Sequence, residues 1–231
     1  MKDAQPIRLA VDSEIDTEPH YPTASERVAD LVVHIIGLLF AVIGGGVALA
    51  LAVSHGVMGL SAAIAVYALG FVAMLAFSTA YNFAQPRWQP LLYRVDHAGI
   101  YLMIAASYTP FTTQLLHGTW SWGMTIAVWS LAITGMAIRL FLPRLSETVS
   151  TIFYLAIGWV IVIAIKPLVL GTPATTLVLL AVGGLVYSIG AVLFIVRRFK
   201  FRRAIWHGHV LAGALTHYAA IMLGIVLVTP H

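Results

Sequence analysis

Seven runs of mostly apolar residues alternate along this chain with short polar segments. A helix needs about 20 apolar residues to cross the hydrocarbon core of a bilayer. With that window the runs predict spans over Asp30–Val53, Met58–Tyr81, Asp96–Leu116, Trp120–Leu140, Val149–Ile165, Thr175–Val196 and Ala204–Val228. Breakers sit between them. Ser54-His55-Gly56, Gln85-Pro86, Leu142-Pro143, Lys166-Pro167 and Gly171-Thr172-Pro173 are kept out of helix centres by turn chemistry or a missing N–H. Every backbone group must be satisfied inside hydrocarbon, so helices are the economical reading of such runs.

Composition agrees. Of 231 residues 60% are hydrophobic and 10% charged, against about 25% charged in soluble domains. There is no cysteine, which removes disulfides and thiolate ligands. Seven of the nine acidic residues fall within the first 30 positions, so no cleavable leader is expected. Residues 1–25 read as a disordered polar cytoplasmic tail and 26–231 as one membrane domain.

Charge then sets direction. Twelve of the thirteen basic residues fall in the tail or at or beyond the cytoplasmic ends of the second, fourth and sixth spans, and Lys166 stands alone on the other side. The positive-inside rule therefore predicts a seven-helix bundle with a cytoplasmic N-terminus and an outside C-terminus. The basic residues are topogenic, so no nucleic-acid partner is implied. Gly44-Gly45-Gly46 and Gly183-Gly184 read as surfaces for close helix packing. Trp88, Tyr93, Trp120, Trp122 and Trp206 fall at expected interfaces, as an aromatic belt does.

Ionisable residues inside a span are costly and are functional candidates. Here they converge at one expected depth, near the cytoplasmic boundary. Ser78 and Asn82 end the second span, four apart and so on one face. Asp96 and His97 open the third, Arg203 and His207 open the seventh, and His34 lies a turn inside the first. Each also has a plain structural reading. His34 suits a core histidine bonded to a carbonyl, Asp96 a helix cap, and Ser78 a bond back to Met74. His97 points about 100° from Asp96, and His209 lies about 200° round from His207. His217, roughly 15 Å deeper, suits a buried interhelical hydrogen bond. His20, His55, His117 and His231 receive no role.

The motifs resemble a known family. Glu26-Arg-Val-Ala-Asp30-Leu-Val-Val-His34-Ile-Ile-Gly37 is similar to the opening motif of the bacterial hemolysin III family, which belongs with the progestin and adipoQ receptors and the alkaline ceramidases. Ser78-Thr-Ala-Tyr-Asn82 resembles its Ser-x-x-x-His motif. Asp96-His97-Ala-Gly-Ile100-Tyr-Leu-Met-Ile-Ala105-Ala-Ser-Tyr108-Thr109-Pro110 matches most specifically. Arg203-Ala-Ile-Trp206-His207 resembles its His-x-x-x-His segment.

The resemblance implies a zinc site of three histidines at the cytoplasmic end, with the serine and aspartate acting on a zinc-bound water. Three imidazoles leave the open position that catalytic zinc uses, and the bound water then has a pKa near about 7. This sequence departs at two of the three ligands. Asn82 and Arg203 stand where histidines are expected, and His207 is the residual metal ligand. An arginine offers no lone pair, and an amide oxygen is a hard, weak ligand for zinc.

Three arrangements stay open. His34, His207 and Asp96 would make a substitute metal set. Arg203 would replace the metal by pairing with Asp96 and hydrogen-bonding Asn82, as a buried ion pair requires. Or Arg203 reaches to the headgroups with its basic neighbours. The expected function is that of a non-catalytic hemolysin III-like protein of the inner membrane, with no cofactor favoured. It would bind membrane lipid, a fatty acyl chain or a ceramide-like molecule, or act in membrane homeostasis. The alternative is a metal-dependent, ceramidase-like membrane amide hydrolase with an altered ligand set, zinc being the possible metal and Ser78 and Asp96 the catalytic residues. Pore formation ranks third.

Overall fold

The computed structural model describes residues 20–142, 146–196 and 199–228, and all regular structure there is helical. The expected tail, up to residue 19, lies outside the described residues, as do Arg144, Arg197, Arg198 and His231.

Helix α1 (Ala24–Ser54) begins at Thr23, whose hydroxyl accepts the Glu26 N–H, the Thr-x-x-Glu signature of a helix start. Its buried side chains, Asp30, His34, Gly37, Ala41, Gly44, Gly45, Ala48 and Ala52, recur every three or four residues and form one inward stripe. The outer face shows Val32, Ile36, Leu39 and Ile43, the surface of a helix made for lipid. Helices α2 (Met58–Phe83), α3 (Gln89–Gln114) and α4 (Gly118–Phe141) follow, then α5 (Glu147–Gly158), α6 (Ile165–Gly171), α7 (Ala174–Ile195) and α8 (Arg202–Ile221).

Three boundaries differ from expectation. Helix α3 starts at Gln89, with Pro90 in its first turn, where a missing N–H is harmless. Asp96 and His97 therefore lie about two turns inside it rather than at its mouth. The fifth crossing runs further than Val149–Ile165. Helices α5 and α6 are joined by a 3-10 turn over Val160–Ala164, so Lys166 lies inside the segment Thr148–Gly171 and not in a loop. Gly158 and Pro167 account for the break. Tyr108 of α3 repairs it: its hydroxyl donates to the Gly158 carbonyl at 2.7 Å and accepts the Ile161 N–H at 2.9 Å. The last helix ends in a π-helical turn, Met222–Val226, where Gly224 passes Thr176 of α7.

Among the described residues, six helical segments have the length and composition to cross a membrane. Helix α3 is as long as α2, but carries Arg94, Asp96, His97, Thr109, Thr112 and Thr113. The chain is a multi-pass membrane protein. Neighbours pack as α1–α2, α2–α3, α3–α4 and α7–α8, and α1 meets α8 to close the bundle. The small residues act where expected. Gly45 faces Ala68, Gly183 faces His217 and Gly184 faces Trp159, whereas Gly46 faces open space. His217 Nε2 lies 3.3 Å from the Leu180 carbonyl, the interhelical bond its depth implied.

Candidate functional site

All seven polar residues singled out from the sequence line one cavity of about 50 Å³: His34, Ser78, Asn82, Asp96, His97, Arg203 and His207. Helices α1, α2, α3 and α8 bring them together. The spacing of four holds within each pair on α2 and α8, so Ser78 with Asn82, and Arg203 with His207, face inward together.

Behind His207, outside the cavity lining, stands a further buried carboxylate. Asp30 is fully buried, and its Oδ1 accepts His207 Nδ1–H at 2.6 Å. Its Oδ2 accepts the Tyr21 hydroxyl at 2.5 Å. Asp30 lies four residues before His34, so the face rule that paired Ser78 with Asn82 would have placed it inward. His34 Nδ1–H donates to the Asp30 carbonyl at 2.8 Å, as a core histidine does. Its Nε2 lies 3.3 Å from Ser78 Oγ, and His207 Nε2 lies 3.4 Å from the same oxygen. The rings of His34 and His207 meet edge to face with centroids 4.4 Å apart.

Arg203 does not pair with Asp96. Among the described residues no ion pair joins them. Arg203 Nε donates to the His20 carbonyl at 3.0 Å, and a terminal nitrogen to Asn82 Oδ1 at 3.5 Å. The bond to Asn82 is the expected one. The bond to His20 ties the guanidinium to the segment before α1. His97 turns to its own helix, donating Nδ1–H to the Tyr93 carbonyl at 2.9 Å. Asp96 stays at the cavity wall, 3.8 Å from His97.

His20 and Tyr21 close the cluster from the N-terminal side, which no sequence signal indicated, because their segment carries no hydrophobic period. His20 Nε2–H donates to Asn82 Oδ1 at 2.9 Å, and its ring packs on Tyr21 and Tyr81. Burial, and then the Arg203 guanidinium, lower the His20 pKa from 6.5 to about 4. Burial, reinforced by the bond to Asp30, raises that of the Tyr21 hydroxyl. Asn82 Oδ1 is thus shared between His20 and Arg203, while its Nδ2–H₂ donates to the Ser78 carbonyl at 2.9 Å and lies 3.4 Å from Ser78 Oγ.

The three-histidine zinc set does not fit this arrangement. Asn82 Oδ1 is engaged by two donors and Arg203 is itself a donor. A different group remains. Asp30, His34 and His207 each offer a ligand atom, all within 4.8 Å of one another. The carboxylate of the substitute set is therefore Asp30 and not Asp96. Two tetrahedral zinc ligands lie roughly 3.3 Å apart for metal–ligand bonds of about 2.0–2.1 Å, wider than the 2.6 Å between Asp30 Oδ1 and His207 Nδ1. A metal here would take imidazole Nε2 atoms and leave Asp30 as the carboxylate behind His207.

Comparison with known proteins agrees with the motifs. The haemolysin-III-related family profile matches residues 24–218. Hemolysin-3 of Bacillus cereus is 33% identical over 198 residues, covering 85% of this chain and 90% of that protein. The hemolysin-3 homolog of Bacillus subtilis (strain 168) is 30% identical over 201 residues, 87% and 94% of the two chains. The human monocyte to macrophage differentiation factor is 28% identical over 166 residues, 68% of this chain and 67% of its own. With its motifs, its helical bundle and a match across most of its length, this chain belongs to the haemolysin-III-related family of multi-pass membrane proteins.

Proposed function

We propose that the protein is a seven-span inner-membrane protein, N-terminus in and C-terminus out, that binds a lipid by its acyl chain and holds the polar end without a resident zinc ion. One observation carries the reading. A second cavity, of about 100 Å³, adjoins the polar one and is walled mainly by apolar side chains, among them Met103, Ile104, Leu155 and Trp159. The two share Met74, Ile100, Tyr154, Trp206 and Val210 as lining. An apolar slot ending in a cluster of hydrogen-bonding groups suits an amphiphile with one chain and a polar head. Arg203, Asn82 and Ser78 stand where the head would lie. Helix α3 counts as a span in this reading because Asp96, His97, Thr109 and Thr112 turn towards the bundle, as intramembrane polar groups do.

Photocrosslinking tests it. A diazirine-bearing fatty acid in membranes should label α3 and α8. Ser107→Trp fills the apolar cavity, and the Ser107 hydroxyl bonds back along its own helix at 2.9 Å, so labelling should fall at least about tenfold with the fold intact. Equal labelling of the variant would exclude this cavity as the chain's seat.

The imidazoles of His34 and His207, with Asp30 behind His207, support a second reading, a metal-dependent lipid amide hydrolase. The metal would supply an activated water, and Ser78 and Asp96 would orient it. Stoichiometric zinc in purified protein, absent from His207→Ala, would establish that reading. Pore formation is the weakest, because both cavities lie within the bundle and the larger is apolar.

A further inference from the structure

Ser78, His207 and Asp30 stand in the order nucleophile, base, orienter. Asp30 Oδ1 accepts His207 Nδ1–H at 2.6 Å, and His207 Nε2 lies 3.4 Å from Ser78 Oγ. The tautomer follows from the partners. A carboxylate can only accept, so Nδ1 carries the proton and the Nε2 lone pair faces the hydroxyl. This is the relation that defines a serine hydrolase triad by geometry rather than by sequence order, and the contact to the nucleophile is commonly looser before substrate binds.

The serine itself departs from habit. A hydroxyl within a membrane helix ordinarily bonds back to the carbonyl four residues earlier. The neighbouring Thr79 does so, to Leu75 at 2.7 Å. Ser78 Oγ is instead turned to two imidazole nitrogens, an amide and the Asp96 carboxyl. His34 completes the setting. Its own Nδ1–H is spent on the Asp30 carbonyl, so a second lone pair faces the same hydroxyl. One hydroxyl proton cannot serve both.

Asn82 and Arg203 then acquire a common purpose. Asn82 Oδ1 is held by His20 and Arg203, which fixes the amide with Nδ2–H₂ towards Ser78 Oγ. An amide N–H held towards Ser78 Oγ steadies the charge that develops there as its proton leaves. Both residues that disqualify the family's zinc set therefore supply what a metal-free acyl transfer needs.

We infer that Ser78 is a nucleophile activated by His207 and Asp30, which forms an acyl-enzyme with long-chain carboxylic esters. The inference rests on the lipid reading above, because the apolar cavity would seat the acyl chain beside Ser78. Ser78 Oγ adds to the ester carbonyl carbon and gives its proton to His207 Nε2. The ester C–O bond breaks, and the leaving alcohol takes that proton. Water then adds to the acyl-Ser78 carbonyl, gives a proton to His207, and releases the acid as the hydroxyl is restored. Ester and water become acid and alcohol, with no metal or other co-reactant.

A long-chain alkyl fluorophosphonate, applied to the intact chain in nanodiscs with excess chelator, tests this directly. The Ser78 Oγ–P bond forms as fluoride and the hydroxyl proton leave. Peptide mapping should place one adduct on Ser78, absent from Ser78→Ala. The labelling rate should fall about 100-fold or more in His207→Ala. Asp30→Asn should also slow it, with the adduct site and final extent unchanged. No adduct on a chain that crosslinks fatty acid, an adduct elsewhere, chelator-sensitive labelling, or an unchanged rate in His207→Ala would each overturn the inference. Crosslinking kept while phosphonylation fails removes only the nucleophile. Loss of crosslinking removes the lipid reading itself.

Discussion

Asp30 Oδ1 and His207 Nδ1 are 2.6 Å apart although 177 residues separate them in sequence, so the first and last helices are joined at the depth of the polar cavity. Tyr21 and His34 bond to the same residue. Asp30→Ala should therefore destabilise the bundle by about 3–5 kcal/mol, because it strands buried donors. Asp30→Asn keeps an acceptor oxygen and should cost about 1–3 kcal/mol. Unfolding in detergent micelles measures both. No loss in either variant would mean that the carboxylate does not hold the helices.

Asn82→His together with Arg203→His should create a zinc site that the natural chain does not have in that form. The new imidazoles would lie beside His207, whose Nε2 already faces α2 near Ser78, and Asp30 would back it as an outer carboxylate. Metal analysis of purified double variant should return about one zinc per chain. If none binds, the registration of these motifs against the family is wrong.

Docking of the segment before α1 should depend on pH. His20 has a docked pKa of about 4 against an ordinary 6.5, with Arg203, His207 and Asp30 the charged or titratable groups near it. The depressed value means that the undocked segment binds the proton more readily. Docking is then complete above about pH 6.5 and weakens as pH falls towards 4. Amide exchange at Tyr21 and Thr23 should quicken across that window. His20→Asn should abolish the dependence.

Gly135→Ala should loosen α3 from α4, since an added Cβ would lie 2.5 Å from the Tyr101 ring. Overpacking of this kind costs about 1–3 kcal/mol. Gly123, on the same helix with nothing within 4 Å, is the control and should tolerate alanine. A variant at Gly135 as stable as that control would show that the ring gives way.

Much of the bundle is legible in the sequence because bilayer thickness dictates run length. Helices α1, α2, α4 and α7 start or end close to the expected limits. The fifth crossing is not, because its irregular turn is tolerated only through Tyr108, a tertiary contact from α3. The site residues are legible in part. Their rarity in an apolar chain marks Ser78, Asn82, Asp96, Arg203 and His207, and helix periodicity pairs them.

The partners are another matter. The sequence by itself determined that seven polar groups would gather at one end of a membrane bundle, because hydrocarbon admits such groups only where they meet each other. The family resemblance also set Asn82 and Arg203 at positions where histidines are expected. Tertiary structure alone decided that Asp30 and not Asp96 takes His207, and that Arg203 turns to Asn82 and His20. Those choices depend on how helices distant in sequence are rotated against one another and where the N-terminal segment folds back. Differences of a few ångströms settle both, and no spacing within one helix encodes them.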